Sequence, residues 1–275
     1  MDTPMMDFED RVAVVTGGAG GIGTALSRAL LAEGARVVVA DLDQRRVEAV
    51  VAELREGNAP DAVVGFVGDA ADEVGIGQLL DRARETHGPV ELYFANAGVP
   101  GAGGLDSTEA DWELALDVNV MAHVRAARLL VPEWLERGEG WFVSTASAAG
   151  LLTQIGSAPY SVSKHAAVAF SEWLAITYGA QGVTVSCLCP MGVATAMLEG
   201  GLVSDDDTHQ LSARVVAAAG TVLAPDEVAR ATIDGVREGR FLILPHPEVR
   251  EFIRRRGTDH DRWLTGMRRL QEGMR

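Results

Sequence analysis

Seven short runs of aliphatic and aromatic residues recur along the chain and are separated by longer stretches with helical spacing. The runs cover residues 12–16, 37–41, 63–67, 92–96, 141–145, 183–188 and 241–244. Most of them show only weak alternation of polar and apolar positions, which is typical of strands that are covered on both faces. The pattern therefore predicts seven strands.

The stretches between the runs have the spacing of amphipathic helices. After the first run, Ile22, Leu26, Ala29 and Leu30 fall at i, i+4, i+7 and i+8, which places them on one helical face. Strands that alternate with helices predict an α/β fold: a doubly wound parallel sheet of about seven strands, with helices on both faces and right-handed crossovers. Such sheets bind ligands at the carboxyl ends of their strands, where the winding reverses.

No internal repeat or low-complexity linker divides the 275 residues, so we expect one domain over residues 1–275. One long segment, from 191 to about 224, lacks a clear period and contains two adjacent glycines and an acidic run. We expect a lid loop over about 193–224, because long loops in compact domains often cover binding sites. The remaining extension, about 246–275, combines a basic triplet with apolar residues and predicts a docking helix.

Composition and charge narrow the possible partners. Hydrophobic residues make up 47% of the chain, which favours a packed globule, and no run approaches the roughly 20 apolar residues of a membrane span. The net charge of −15 argues against a nucleic acid partner, because phosphate binding requires a basic surface. The first ten residues are acidic and do not resemble a secretory signal, so we expect a cytoplasmic protein.

The two cysteines and six histidines do not suggest a metal site. Cys187 and Cys189 lie two residues apart in a predicted strand, so they share one face and are expected to pack beneath a helix. The histidines show no spacing typical of metal ligands. We expect no metal.

A glycine-rich segment follows the first predicted strand and opens the first predicted helix. Residues 16–23 read TGGAGGIG, and Gly18, Gly20 and Gly23 satisfy the pattern G-x-G-x-x-G. Glycines allow the backbone to approach a pyrophosphate closely, and the helix N-terminus offers unpaired N–H groups to it. The segment predicts a dinucleotide site, with a glycine-rich turn that binds nothing as the alternative.

Asp41 ends the second predicted strand, eighteen residues after Gly23. A carboxylate there accepts hydrogen bonds from the ribose hydroxyls of NAD and repels the 2′-phosphate of NADP. Residues 16–24 and 41–44 contain no Arg or Lys, so NAD is the predicted cofactor. Two alternatives stay open: Asp41 caps the next helix, as Asp43 also does in principle, or Arg45 and Arg46 admit NADP.

Residues 160–164 read YSVSK and place Tyr160 and Lys164 on one helical face. A phenol has a pKa near 10, which a neighbouring ammonium or an oxidised nicotinamide lowers. Tyr160 is therefore the candidate acid/base. Three hydroxyl residues at the end of the fifth strand, Ser144, Thr145 and Ser147, are candidates for holding a substrate oxygen.

Taken together, these motifs resemble the short-chain dehydrogenase/reductase family over nearly the whole chain. The family pattern T-G-x-x-x-G-x-G is matched at 16–23, and ANAG at 95–98 is similar to N-N-A-G, with Ala95 for the first Asn. Asn119 lies in DVNV, and Ser147 stands thirteen residues before Tyr160, as in the family. PMGVAT at 190–195 resembles P-G-x-V-x-T, with Met191 for the usual glycine.

The resemblance implies a Rossmann fold and a catalytic tetrad of Asn119, Ser147, Tyr160 and Lys164. Tyr160 would be the general acid/base, Ser147 would bind the substrate oxygen, Lys164 would lower the tyrosine pKa and bind the nicotinamide ribose, and Asn119 would hold a water. Residues 69–70 would contact the adenine, and 190–195 would anchor the carboxamide. The implied cofactor residues are Gly17, Gly20, Gly21, Ile22, Gly23, Asp41, Leu42, Asp69, Ala70, Asn96, Ala97, Gly98, Tyr160, Lys164, Pro190, Gly192, Val193 and Thr195.

The predicted function is reversible hydride transfer between NAD and a secondary alcohol/ketone pair. One alternative is a catalytically silent nucleotide-binding or sensing protein on the same scaffold. Another is an epimerase or lyase, which usually needs a larger C-terminal domain than the roughly 80 residues after Thr195. The family resemblance also implies a homo-oligomer, either a dimer or a homotetramer, formed through the helices that carry Asn119 and Tyr160.

The substrate is the least specified part of the prediction. Apolar residues follow the serine and open the lid segment, and they favour a bulky, apolar small-molecule alcohol or ketone. They are Leu151, Leu152, Ile155, Met197, Leu198, Leu202 and Val203. Core packing beneath the loop is the alternative explanation for the same residues.

Overall fold

All seven predicted runs form strands in the computed structural model, which describes residues 6–101 and 103–274. The N-terminal prediction concerning a signal segment falls partly on residues 1–5, outside the described residues. The strands pair in parallel in the order β3-β2-β1-β4-β5-β6-β7. They are β1 Val12–Thr16, β2 Arg36–Asp41, β3 Val63–Val67, β4 Leu92–Ala95, β5 Gly140–Thr145, β6 Val183–Leu188 and β7 Leu242–Ile243.

Helices connect these strands and continue after the last one. They are α1 Gly21–Ala32, α2 Gln44–Arg55, α3 Glu73–Thr86, α4 Glu109–Leu116, α5 Ala122–Arg137, α6 Ala149–Leu152, α7 Ala158–Tyr178, α8 Ala196–Leu202, α9 Asp207–Ala218, α10 Pro225–Arg237, α11 Pro247–Thr258 and α12 His260–Met274. A π-helical turn, Asp117–Met121, joins α4 to α5, and a 3₁₀ turn, Gly179–Gln181, follows α7.

The strands are buried on both faces, as the weak alternation predicted. Val15 and Val39 contribute to one apolar core together with Leu26 of α1. Val14 and Val38 contribute to a second core on the opposite face. Because successive side chains of a strand point to opposite faces, each strand supplies both cores. The doubly wound fold is therefore confirmed, and the reversal in strand order lies between β1 and β4.

The segment predicted as an irregular lid is mostly helical, since it contains α8 and α9. Asp206 caps α9 by accepting a hydrogen bond from the backbone N–H of His209 at 2.7 Å. Leu211 and Val215 then bury one face of that helix. The acidic residues that suggested a loop therefore mark the start of a helix: Asp206 is its N-cap and Asp207 lies in its first turn. Asp is favoured at such positions because its carboxylate accepts hydrogen bonds from the free N–H groups of a helix start.

The C-terminal extension forms two helices rather than one. They are separated at Asp259, which accepts a hydrogen bond from the N–H of Arg262 at 2.9 Å. The first of them, α11, buries Val249 in an apolar cluster with Leu152. The second, α12, has no fully buried residue.

Cys187 and Cys189 are both fully buried beneath α7, with their sulfur atoms 3.7 Å apart, which confirms the prediction that they share one buried face.

Within residues 6–101 and 103–274, no three His, Cys, Asp or Glu side chains are grouped to bind a metal ion. No helix in the same described ranges has the length and apolar character needed to cross a membrane.

Candidate active site

A cleft of about 810 Å³ runs along the carboxyl ends of the strands, on both sides of the reversal between β1 and β4. Its lining includes Ser147, Tyr160 and Lys164, and all of the predicted cofactor residues except Gly192. Asn119 lies behind the wall of the cleft rather than on it. Most of the residues that sequence motifs singled out are therefore brought together in one place.

The glycine-rich segment forms a turn that leaves little room for a side chain at Gly17 or Gly21. Gly17 has a φ of +59°, and a Cβ there would lie 2.9 Å from the Cα of Ala97. A Cβ on Gly21 would lie 2.9 Å from Cγ2 of Thr195. No side chain caps the start of α1, where Gly20 is the N-cap, so its first N–H groups are free for an anion. The turn therefore fits the pyrophosphate of a dinucleotide.

Asp41 is oriented by the backbone at the end of β2. Its carboxylate accepts hydrogen bonds from the N–H groups of Leu42 at 2.8 Å and Ala19 at 3.2 Å. The alternative role of capping α2 is performed by Asp43, which accepts from the N–H of Arg46. Arg46 also donates to the carbonyl oxygen of Ala19 at 2.6 Å and lines the cleft. The carboxylate of Asp41 and the guanidinium of Arg46 therefore lie at the same end of the cleft.

A network of side chains holds the ends of β1, β4 and β5 together. The hydroxyl of Thr16 accepts hydrogen bonds from the N–H groups of Asn96 and Ala97, both at 3.0 Å. The amide of Asn96 donates to the carbonyl of Thr16 at 3.0 Å and accepts from the hydroxyl of Thr145 at 3.1 Å. Ala95 is buried in the core beside this network. Alanine at this position, where the family usually has asparagine, therefore leaves the hydrogen bonds between the strand ends in place.

The three hydroxyls near the end of β5 have different roles. Ser144 points away from the cleft and contacts Nδ1 of buried His123 at 3.0 Å. Thr145 bonds to Asn96, as described above. Ser147 lines the cleft within hydrogen-bonding reach of Tyr160, and its hydroxyl accepts from the N–H of Ala149 at 3.1 Å and donates to the carbonyl of Pro190 at 3.5 Å. Thr145 and Ser147 therefore reach the cleft and Ser144 does not, and the role of Ser147 in holding a substrate oxygen stays a prediction.

Tyr160 and Lys164 share one face of α7 and point into the cleft. The ammonium of Lys164 lies 5.7 Å from the centre of the Tyr160 ring and donates to the carbonyl of Thr145 at 2.9 Å. Burial lowers the pKa of Lys164 to about 8, since only 3% of this residue is exposed.

Burial also raises the pKa of Tyr160, and its hydrogen bond with Ser147 opposes that rise. The pKa of Tyr160 is therefore raised, whereas the sequence predicted that Lys164 would lower it. The reason is that desolvation of the phenol outweighs the effect of the surrounding polar groups.

Asn119 lies in the π-helical turn, where it joins two elements. Its amide donates to the carbonyl of Val99 at 3.1 Å and to the hydroxyl of Ser163 at 3.0 Å, and its oxygen accepts from the N–H of Val99 at 3.0 Å. A Cβ on Gly98 would lie 3.1 Å from this oxygen and 3.3 Å from the nitrogen of Lys164. Asn119 therefore supports the wall beside Lys164, and its role in holding a water stays a prediction.

The segment 190–195 crosses the cleft but does not present all of its residues to it. Gly192 was predicted to bind the cofactor, but it lies outside the cleft lining. Its carbonyl accepts from Nε2 of His246 at 2.9 Å and from the N–H of Leu223 at 3.0 Å. Nδ1 of His246 accepts from the N–H of Met191 at 3.1 Å. Met191 has no positive φ, so glycine is not required there.

His246 was missed by the sequence reasoning, because no local motif links it to a segment more than fifty residues earlier. The apolar side of the cleft was predicted only in part. Leu152, Ile155, Met197 and Leu198 line it as expected, whereas Leu151 packs in the core, and Leu202 and Val203 point away. The additional apolar residues come from the C-terminal helices and are Phe252, Trp263, Met267 and Leu270.

Comparisons with known proteins find similar proteins over most of the chain. The model of the short chain dehydrogenase family matches residues 11–202. The chain is 35% identical over 266 residues to 1-deoxy-11-beta-hydroxypentalenate dehydrogenase of Streptomyces exfoliatus, which covers 94% of this chain and 90% of that protein. It is 32% identical to meso-2,3-butanediol dehydrogenase of Serratia marcescens over 82% of this chain and 86% of that protein.

A solved structure is similar over almost the full length. It is a short chain dehydrogenase/reductase from Burkholderia phymatum in complex with NAD, with a TM-score of 0.84 and 32% sequence identity. The match covers 94% of this chain and 96% of that one.

Proposed function

Because this chain belongs to the short-chain dehydrogenase/reductase family, we propose that it interconverts a secondary alcohol and a ketone with NAD, using Tyr160 as general acid/base. It is an oxidoreductase that acts on CH–OH groups. The observation that carries the proposal is the position of Tyr160, Ser147 and Lys164 in the same cleft as the glycine turn. The candidate proton-transfer group, Tyr160, and the candidate dinucleotide-binding turn therefore line the same cleft.

Oxidation of a secondary alcohol removes a hydride from carbon and a proton from oxygen. NAD, when bound, accepts the hydride. The phenolic oxygen of Tyr160 takes the hydroxyl proton, and Ser147 holds the substrate oxygen beside it. The ammonium of Lys164, one helical turn away, favours the phenolate during this transfer. In the reverse direction, Tyr160 returns the proton to the ketone oxygen.

Asp41 supports NAD rather than NADP as the cofactor. Its two oxygens are oriented by backbone N–H groups, so the carboxylate cannot easily turn away from a ribose bound at the end of β2. A 2′-phosphate in that place would meet a negative charge. Arg46 bonds to a backbone carbonyl and offers only partial compensation for that repulsion.

The catalytically silent alternative is not supported. The two relatives described above are named as dehydrogenases, and all four tetrad residues are present in this sequence.

The proposal is tested by mixing the protein with NAD and a panel of secondary alcohols and following NADH absorbance. We expect turnover, and we expect Tyr160→Phe to lower kcat by about 10³-fold while NADH binding is retained. Tyr178→Phe is the matched control, because this tyrosine lies at the end of the same helix and outside the cleft. Turnover by Tyr160→Phe at the wild-type rate would reject Tyr160 as the acid/base.

The homo-oligomer and the cytoplasmic location stay predictions. In support of self-association, α7 exposes three large apolar side chains, Val162, Trp173 and Ile176, and the last of these is 83% exposed. An apolar helix face of this kind favours burial against a second surface. Light scattering of the purified protein distinguishes a monomer from a dimer or a tetramer.

A further inference from the structure

We propose that α12 is a wall of the substrate site and makes the enzyme selective for bulky, uncharged, apolar alcohols. This inference rests on the proposed function and specifies its substrate class. The relevant region, here called the apolar chamber, is the part of the cleft between α6, α8, α9 and the C-terminal helices. Trp263, Met267 and Leu270 of α12 line it.

The amphipathic pattern of α12 is directed at the cleft rather than at the protein core. Trp263, Met267 and Leu270 fall at i, i+4 and i+7, so they share one helical face. None of the residues of α12 is fully buried, and Leu270 is 39% exposed. Leu264, which is 47% exposed, lies outside the cleft lining. When an apolar ligand covers an accessible apolar face inside a cleft, apolar surface is removed from water, which makes the free energy of binding more favourable.

Two hydrogen bonds join α11 and α12 to other walls of the apolar chamber, and one ring contact joins the two helices to each other. The guanidinium of Arg214 on α9 donates to the carbonyl of Met274 at the end of α12 at 2.8 Å. The ring of Trp263 packs against Phe252 of α11, with 6.1 Å between the ring centres. Arg256 of α11 donates to the carbonyl of Leu151 on α6. The wall is therefore anchored on both sides of the chamber.

The distribution of charge in the cleft separates a cofactor end from the apolar chamber. Asp41 and Arg46 lie at the end of the cleft beside the glycine turn. In the described part of the chain, α8, α9, α11 and α12 contribute no Asp, Glu, Lys or Arg to the lining. His209 is the titratable side chain that these helices supply. A charged substrate would lose hydration there without gaining a partner, whereas an apolar body would lose little.

The experiment compares cyclohexanol with decahydro-2-naphthol, a bicyclic apolar alcohol with the same reacting group. We expect the wild-type enzyme to have a higher kcat/KM for the bicyclic alcohol. We expect Trp263→Ala to lower the ratio of the two kcat/KM values at least about tenfold, because even a single methylene in an apolar pocket typically contributes about 10- to 200-fold. Leu264→Ala is the control on the same helix and should leave the ratio unchanged. Met267→Ala provides a second test if the tryptophan variant does not fold.

Binding is measured separately from turnover, by calorimetry of 2-decalone added to Tyr160→Phe with NAD bound. Binding that is weakened by adding Trp263→Ala supports the apolar chamber, even if no alcohol is oxidised and the proposed function fails. Turnover without a preference for the bicyclic alcohol, or an equal change in Leu264→Ala, would overturn the role of α12 and leave the proposed function standing.

Discussion

The ammonium of Lys164 lies 5.7 Å from the centre of the Tyr160 ring, but its hydrogen bond goes to the carbonyl of Thr145, 2.9 Å away. The end of β5 therefore fixes the distance between the ammonium and the phenol. The same arrangement buries Lys164 almost completely, and burial lowers its pKa to about 8. The site thus keeps a positive charge beside Tyr160 at a cost in stability.

That cost predicts that Lys164→Met stabilises the protein at neutral pH. A pKa that falls from 10.5 to about 8 corresponds to a penalty of about 3 kcal/mol. The penalty is complete below pH 8, where both the folded and the unfolded state are protonated. It shrinks as the pH rises toward 10.5, because the folded state has then lost its proton. Since the hydrogen bond to Thr145 is also lost, we expect a gain of about 1–2 kcal/mol at pH 7.

Urea unfolding at pH 7 and at pH 9.5 measures this effect, and the gain should be smaller at pH 9.5. Lys164 is the only lysine in the sequence, so ¹⁵N-lysine labelling gives a single side-chain nitrogen signal whose titration reports the pKa directly. Equal destabilisation of the variant at both pH values would contradict the prediction. The same variant should lose most of its activity, since function and stability oppose each other at this position.

Ser147→Ala is predicted to slow turnover and to raise the pKa of the catalytic base. The hydrogen bond from Ser147 lowers the pKa of Tyr160, so its removal leaves burial unopposed. We expect kcat for alcohol oxidation to fall about 10²-fold and its pH profile to move to higher pH. Ser144→Ala is the control, because this nearby serine contacts His123 instead. An unchanged pH profile in Ser147→Ala would show that the serine does not act on the tyrosine.

Asp41→Asn is predicted to weaken the preference for NAD. The substitution keeps the size of the side chain and one of its two accepting oxygens but removes the charge that repels a 2′-phosphate. We expect kcat/KM with NADP to rise at least about tenfold, which corresponds to about 1.4 kcal/mol. Asp43→Asn changes the charge equally two residues away, at the N-cap of α2, and should have a much smaller effect. Equal effects of the two variants would mean that only the overall charge matters.

The fold was predictable because its signals are local. Each strand is a short apolar run, and Leu26 and Leu30 mark the buried face of α1 by spacing alone. The positions of Tyr160 and Lys164 follow from one turn of a helix. Ser147, singled out by its distance along the chain from Tyr160, lines the cleft, as Thr145 also does, whereas Ser144 contacts His123; its role as the substrate-binding hydroxyl stays a prediction.

The missed features depend on contacts between distant parts of the chain. His246 joins Met191 and Gly192 only after β7 has brought it next to that segment. Trp263 lines the cleft because α12 crosses to α9, and an apolar helix face looks the same in sequence whether it faces a core or a cleft. The pKa of Tyr160 depends on its depth of burial, which spacing alone does not reveal.

His246→Leu is predicted to weaken NAD binding more than it slows the chemical step. The buried ring holds Met191 through Nδ1 and Gly192 through Nε2, and the same segment ends at Thr195, whose side chain lies against Gly21 of the glycine turn. Leucine leaves both backbone groups without that partner, which we expect to lower the free energy of unfolding by about 2 kcal/mol. We also expect KM for NAD to rise about fivefold or more, while kcat at saturating NAD changes less than twofold. His260→Leu, at the exposed start of α12, is the control. A fall in kcat with an unchanged KM would instead place His246 closer to the reacting groups than the structure does.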